Sequence, residues 1–108
     1  MANATSASQV ATQTLSANAA DLVLLTTPAS SIIVTNETGT APIYFTVSEP
    51  GGPCPIPTVG GVNCYAVASV AGAQTAVRHY GRYGSIVQLI SSGTPTYSVT
   101  IGSPKVSV

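Results

Sequence analysis

From residue 21 onward the chain alternates short β-branched and aromatic runs with breaks of Gly, Pro, Asn and Ser, the pattern of antiparallel strands in a sandwich or barrel. Seven strand candidates lie at 21–27, 31–36, 42–48, 64–70, 74–79, 85–91 and 96–101. In the third, Ile43, Phe45 and Val47 alternate with Tyr44, Thr46 and Ser48, so one face turns to the core and the other to solvent or a partner. The last repeats the device, with Tyr97, Val99 and Ile101 set against Ser98 and Thr100. The sixth places Val87 and Leu89 opposite Ile86, Gln88 and Ile90 and is apolar on both faces. It is therefore either central in its sheet or covered by another chain. Turn residues break the pattern at 38–40, at 92–95 and across 49–63.

Residues 1–20 read differently. They are rich in Ala, Ser, Thr and Gln, and only Val10 and Leu15 offer large apolar side chains. This is the composition of an N-terminal arm, either a disordered leader or an extended segment that docks on a neighbour. A helix over 9–20 has no capping residue to start it and is the weaker alternative. The expected fold is all-β: an antiparallel β-sandwich over 21–108, jelly-roll-like or immunoglobulin-like, preceded by an extended arm over 1–20. A length of 108 residues suits one such domain.

Charge changes the picture more than hydrophobicity does. The apolar fraction of 44% is ordinary, but charged residues make up only 6%, against about 25% in an average soluble domain. Net charge is +0, so no long-range field gathers nucleic acid or anionic lipid at the surface. Little self-repulsion opposes association, and a homo-oligomer is expected. The first twenty residues lack the basic start and apolar core of an export signal, and no apolar run approaches a membrane span, so synthesis in the cytoplasm is expected.

Catalytic chemistry has few residues to work with. The carboxylates are Asp21, Glu37 and Glu49, and His79 is the one histidine. Glu37 falls in an expected turn and Glu49 in a Pro/Gly loop, where both read as solvated groups, and no Gly-x-Ser-x-Gly elbow accompanies the serines. Paired carboxylates of the kind a glycan-active enzyme needs are missing. Cys54, Cys64 and His79 lack metal-ligand spacing, and no cofactor is expected. Cys54 and Cys64 flank a Pro/Gly-rich loop; two reduced thiols are the ordinary cytoplasmic state, and an intrachain disulfide formed after release is the alternative that such a loop favours. The segment with Arg78, His79, Tyr80, Arg82 and Tyr83 gathers basic and aromatic residues in one turn. It reads either as a partner-contact loop or as a polar hairpin tip whose guanidinium groups stack on the rings.

The string SIIVTNETGTAPIYFTV at 31–47, followed by VQLISSGTPTYSV at 87–99, resembles small β-sandwich structural proteins of tailed bacteriophages that infect actinobacteria. The similarity spans about 15–102. In such relatives the loop after the Tyr-Phe strand often reads Asp-Gly-x-x-Pro-Thr-Val-x-Gly; residues 57–61 match its second half, whereas 49–54 depart from it. The resemblance implies a virion protein of the capsid decoration (minor capsid) type. Such a protein binds the major capsid protein on the outside of the shell and bridges capsomers, as a homo-oligomer with a trimer favoured. A tail or head-fibre component contacting the host surface is the alternative. The resemblance implies no catalytic residue.

Overall fold

The computed structural model describes residues 3–51, 55–61 and 64–102. Within them the chain forms nine strands and no helix: β1 (Ala4–Ala7), β2 (Val10–Thr14), β3 (Asp21–Leu25), β4 (Ala29–Asn36), β5 (Ile43–Ser48), β6 (Tyr65–Val67), β7 (Ala73–Gly81), β8 (Ser85–Ile90) and β9 (Thr96–Gly102). The last seven coincide with the seven candidates, their ends shifted by up to three residues.

Two sheets face each other, a five-stranded one in the order β1-β3-β8-β5-β6 and a four-stranded one in the order β2-β9-β4-β7. β5 pairs with β6, β4 with β7, β3 with β8 and β2 with β9, all antiparallel. Each pair encloses the next in sequence, so the sandwich is one long antiparallel hairpin wound around its core. This nesting is the jelly-roll winding, not the immunoglobulin one. β1 is an addition, lying parallel to β3.

The core follows the alternation. Val23, Leu25, Ile43, Phe45, Val87 and Leu89 come from the inner face of the five-stranded sheet; Ile32, Val34, Val77, Tyr97 and Val99 come from the other. β8 is the middle strand of its sheet, flanked by β3 and β5, which accounts for its two apolar faces.

The described part of the expected arm is built into both sheets. β1 runs in register with β3 from Ala4↔Leu22 to Ala7↔Leu25, and β2 pairs with β9 from Val10↔Thr100 to Thr14↔Thr96. Ala11 and Leu15 lie in the core, Leu15 only 1% exposed. Residues 10–14 are extended, so the weaker helical alternative over 9–20 is not what forms. The physical reason lies in position. An edge strand buries half of one face, so small and hydroxylated side chains suffice. Its partner supplies the rest: the Thr12 and Ser98 hydroxyls pair at 2.9 Å, those of Thr14 and Thr96 at 2.8 Å, and the Leu15 N–H donates to the Pro95 carbonyl at 3.0 Å.

Polar side chains fasten the turns. Asn36, fully buried, donates through Nδ2 to the carbonyls of Ala41 (2.8 Å) and Ala68 (3.1 Å), while its Oδ1 accepts the Gly39 N–H at 2.8 Å. One amide thus ties the β4–β5 turn to the β6–β7 turn. Gly39 sits at φ +68°, and a Cβ there would lie 2.5 Å from the Val70 carbonyl carbon and 2.9 Å from the Ala71 Cα. Gly39→Ala combines a left-handed backbone with a backbone collision and is expected to destabilise by about 2–4 kcal/mol. Urea unfolding checks this through a lowered midpoint at unchanged slope.

Candidate docking surface

The outer face of the five-stranded sheet is built from alternate residues whose cross-strand register makes two rows. Ala4, Leu22, Gln88 and Thr46 form one; Ser6, Leu24, Ile86 and Ser48 form the next. Neither row carries a charge. Part of the face is covered by the segment that follows β5. The Pro55 carbonyl accepts from Thr46 Oγ1 at 2.7 Å and from Gln88 Nε2 at 3.4 Å, and Gly61 lies so close to the Tyr44 ring that a Cβ would meet it at 2.6 Å. Thr46 and Gln88 are therefore buried although they point away from the core. Leu22, Leu24 and Ile86 are left uncovered or half-covered, with Leu22 37% exposed. Apolar side chains adjacent in register, without a charge beside them, mark a surface that loses little on leaving water.

At the rim of the sheet an open depression of about 390 Å³ is lined by Thr46, Val47, Pro55, Cys64 and Tyr65. The Tyr65 ring leans on Phe45 with centroids 5.4 Å apart. No lining residue is charged, and the Thr46 hydroxyl is already engaged by Pro55. Cys64 stands on this wall; its expected bridging partner Cys54 lies outside the described residues. Among the described residues no group of three His, Cys, Asp or Glu side chains is placed to hold a metal ion.

The basic and aromatic segment spans the end of β7 and the turn that follows it. Arg78 is exposed and pairs in register with Ser31. His79 is half-buried, and its Nε2 has no hydrogen-bond partner, as is also true of the buried Ser85 Oγ. The Tyr80 side chain lies outside the described groups. At the tip, Tyr83 is 76% exposed and the Arg82 guanidinium stands 5.5 Å from the centre of its ring. This is the stacked arrangement of a hairpin tip, and it leaves one aromatic face to solvent.

The most constrained polar group escapes sequence reasoning. Asp21 opens β3 with its side chain turned into the sandwich and is fully buried. Its carboxylate accepts from the Asn3 N–H at 2.8 Å, from Asn3 Nδ2 at 3.1 Å and from the Tyr97 hydroxyl at 2.9 Å. Burial, the hydrogen bond to Asp21 and the nearby carboxylate charge, in that order, raise the Tyr97 hydroxyl far above the usual tyrosine range and keep it a donor. A substrate does not reach this cluster; it bolts one sheet to the other and anchors the start of β1. A single Asp ahead of an apolar strand, after twenty uncharged residues, is the one sequence signal that marks it. Glu37 and Glu49 are exposed, as solvated carboxylates.

Compared with known proteins, the chain matches no protein-family model, no curated protein and no solved structure.

Proposed function

We propose that this chain is a virion structural protein of the capsid decoration type, which binds the outside of a capsid through the outer face of its five-stranded sheet and is not an enzyme. The observation that carries this reading is that face, where Leu22, Leu24 and Ile86 lie side by side without a charged neighbour. The resemblance read from the residues at 31–47 and 87–99 points the same way. A ligand that binds only the assembled lattice lowers its free energy relative to free capsomers, so such a subunit stabilises a shell by mass action without cofactor or catalysis. The partners are the major capsid protein and further copies of this chain, and the place of action is the capsid surface.

The experiment is co-sedimentation with capsids together with quantified copy number in purified particles. Leu24→Lys puts a charge on the docking face without touching the core and is expected to weaken capsid binding by at least tenfold at an unchanged melting temperature. Full-strength binding by this variant would remove the outer face from the mechanism. Copy numbers in the hundreds support decoration. A handful at one vertex supports instead the second reading, a tail or head-fibre component, for which the solvent-facing Tyr83 ring at the hairpin tip is the specific observation. Aromatic rings of that kind stack on sugars of a host surface.

A further inference from the structure

The five-stranded sheet has two edges, and they are not alike. β6 is three residues long, and its Ala66 carbonyl is taken by the Thr75 hydroxyl at 2.6 Å from the adjoining β7. β1 is open. The Asn3 carbonyl accepts the Leu22 N–H and the Ala7 carbonyl the Thr26 N–H, both at 2.9 Å, so alternate residues 3, 5 and 7 turn their backbone groups toward β3. Ala4 and Ser6 then turn theirs the other way, and both residues are exposed.

Natural sheets blunt such edges with Lys, Pro, inward charges or bulges. β7, the outer strand of the other sheet on the far flank, carries Arg78 and an irregular register against β4 between Ala29 and Ser31. β1 reads Ala-Thr-Ser-Ala and has none of these devices; the first charged residue of the chain is Asp21.

We infer that β1 is the strand through which two copies of this chain join, antiparallel and edge to edge about a twofold axis at Thr5. In that register Ala4 of each copy faces Ser6 of the other, and every outward N–H and C=O of both residues finds a partner. The side chains that meet are small, and no like charges oppose each other, so the edge is complementary to itself. A charged foreign strand finds nothing here to attract it. The rows that begin at Ala4 and Ser6 continue through Leu22 and Leu24, so the joined sheets present one uncharged outer face of double width, continuous with the docking surface. This rests on the oligomeric part of the proposed function and not on its capsid part. The contact closes on two copies; a trimer needs a different, heterologous contact.

Sedimentation equilibrium of the full chain at micromolar concentration is expected to give the mass of a dimer. Ser6→Pro removes an N–H that the β3 ladder does not use, so it should weaken dimerisation at least tenfold and leave the melting temperature of the monomer in place. Thr5→Cys tests the axis directly. Residues facing each other in a non-hydrogen-bonded antiparallel pair have Cα atoms about 4.5 Å apart, within disulfide range, so mild oxidation should link two copies at position 5, read by non-reducing peptide mapping. A monomer at all concentrations, a trimer, a dimer indifferent to Ser6→Pro, or no bridge at position 5 overturns the inference. Should Ser6→Pro unfold the chain, Ser6→Lys and the position-5 bridge decide. Capsid co-sedimentation of the monomeric variant is a separate readout, so failure of the edge contact is distinguishable from failure of the capsid role.

Discussion

Removal of residues 1–15 is expected to abolish folding of the domain, not to trim a tail. The deletion takes away β1 and β2, and with them the partner strands of β3 and β9. It opens the core at Ala11 and Leu15, and the loss of one buried leucine alone costs about 2–5 kcal/mol. It also removes Asn3, leaving the buried Asp21 carboxylate with the Tyr97 hydroxyl as its remaining donor. Set against a total stability of about 5–15 kcal/mol for a domain, these losses exceed what the remaining seven strands can carry. Far-UV circular dichroism and amide dispersion in a ¹H–¹⁵N spectrum check this. A cooperative melt within a few degrees of the full chain would show that the sandwich stands without its first two strands.

Asp21→Ala is expected to destabilise by about 3–5 kcal/mol, because it strands the Tyr97 hydroxyl and the Asn3 N–H and leaves Asn3 Nδ2 with the Thr14 carbonyl alone. The Tyr97 hydroxyl, in the middle of the sandwich, has nowhere else to go. The Asn3 N–H and amide lose the acceptor that pins the start of β1. Tyr97→Phe should cost less, about 1–2 kcal/mol, since the carboxylate keeps both Asn3 donors. For a domain of this size the first figure corresponds to a melting temperature lowered by at least ~10 °C. Calorimetry of the two variants gives the ranking, and equal losses for both would mean that Tyr97, not Asp21, organises the cluster.

What could be read from the residues follows from how strands advertise themselves. β5 and β9 announce their alternation because every second residue is large and apolar, and β8 announces its central place by being apolar on both faces. β1 and β2 give no such sign. Their inward positions are filled by Thr5, Ala7, Ala11 and Gln13, which look like linker residues until a partner strand covers them. Hydroxyl pairs across β2 and β9 replace the apolar contacts that pattern reading looks for. The candidate docking face is half legible: the outward Ile86 is read from the alternation of β8, but which outward positions stay open depends on Pro55 and Gly61 folding back over Thr46 and Tyr44. Nothing local in 49–61 states that destination. The buried Asp21 was least legible, since its partners stand 18 and 76 positions away.

The nesting of hairpin within hairpin also sets a schedule. The innermost pair, β5 with β6, closes the shortest of the nested loops, residues 49–64, whereas the hydroxyl contact of Thr12 with Ser98 spans 86 positions. A topology dominated by such distant pairings folds slowly, in milliseconds to seconds or longer, because loop entropy is lost before contacts repay it. On the ribosome, where residues emerge at about 5–20 per second, β2 waits several seconds for β9 to appear. During that interval its Val10, Thr12 and Thr14 are an unpaired β-prone segment with no charge to keep nascent chains apart. A sequence of this kind depends on chaperone holding or on modest local concentration while it is being made, and heavy overproduction should drive it into inclusion bodies even though the finished sandwich is well packed.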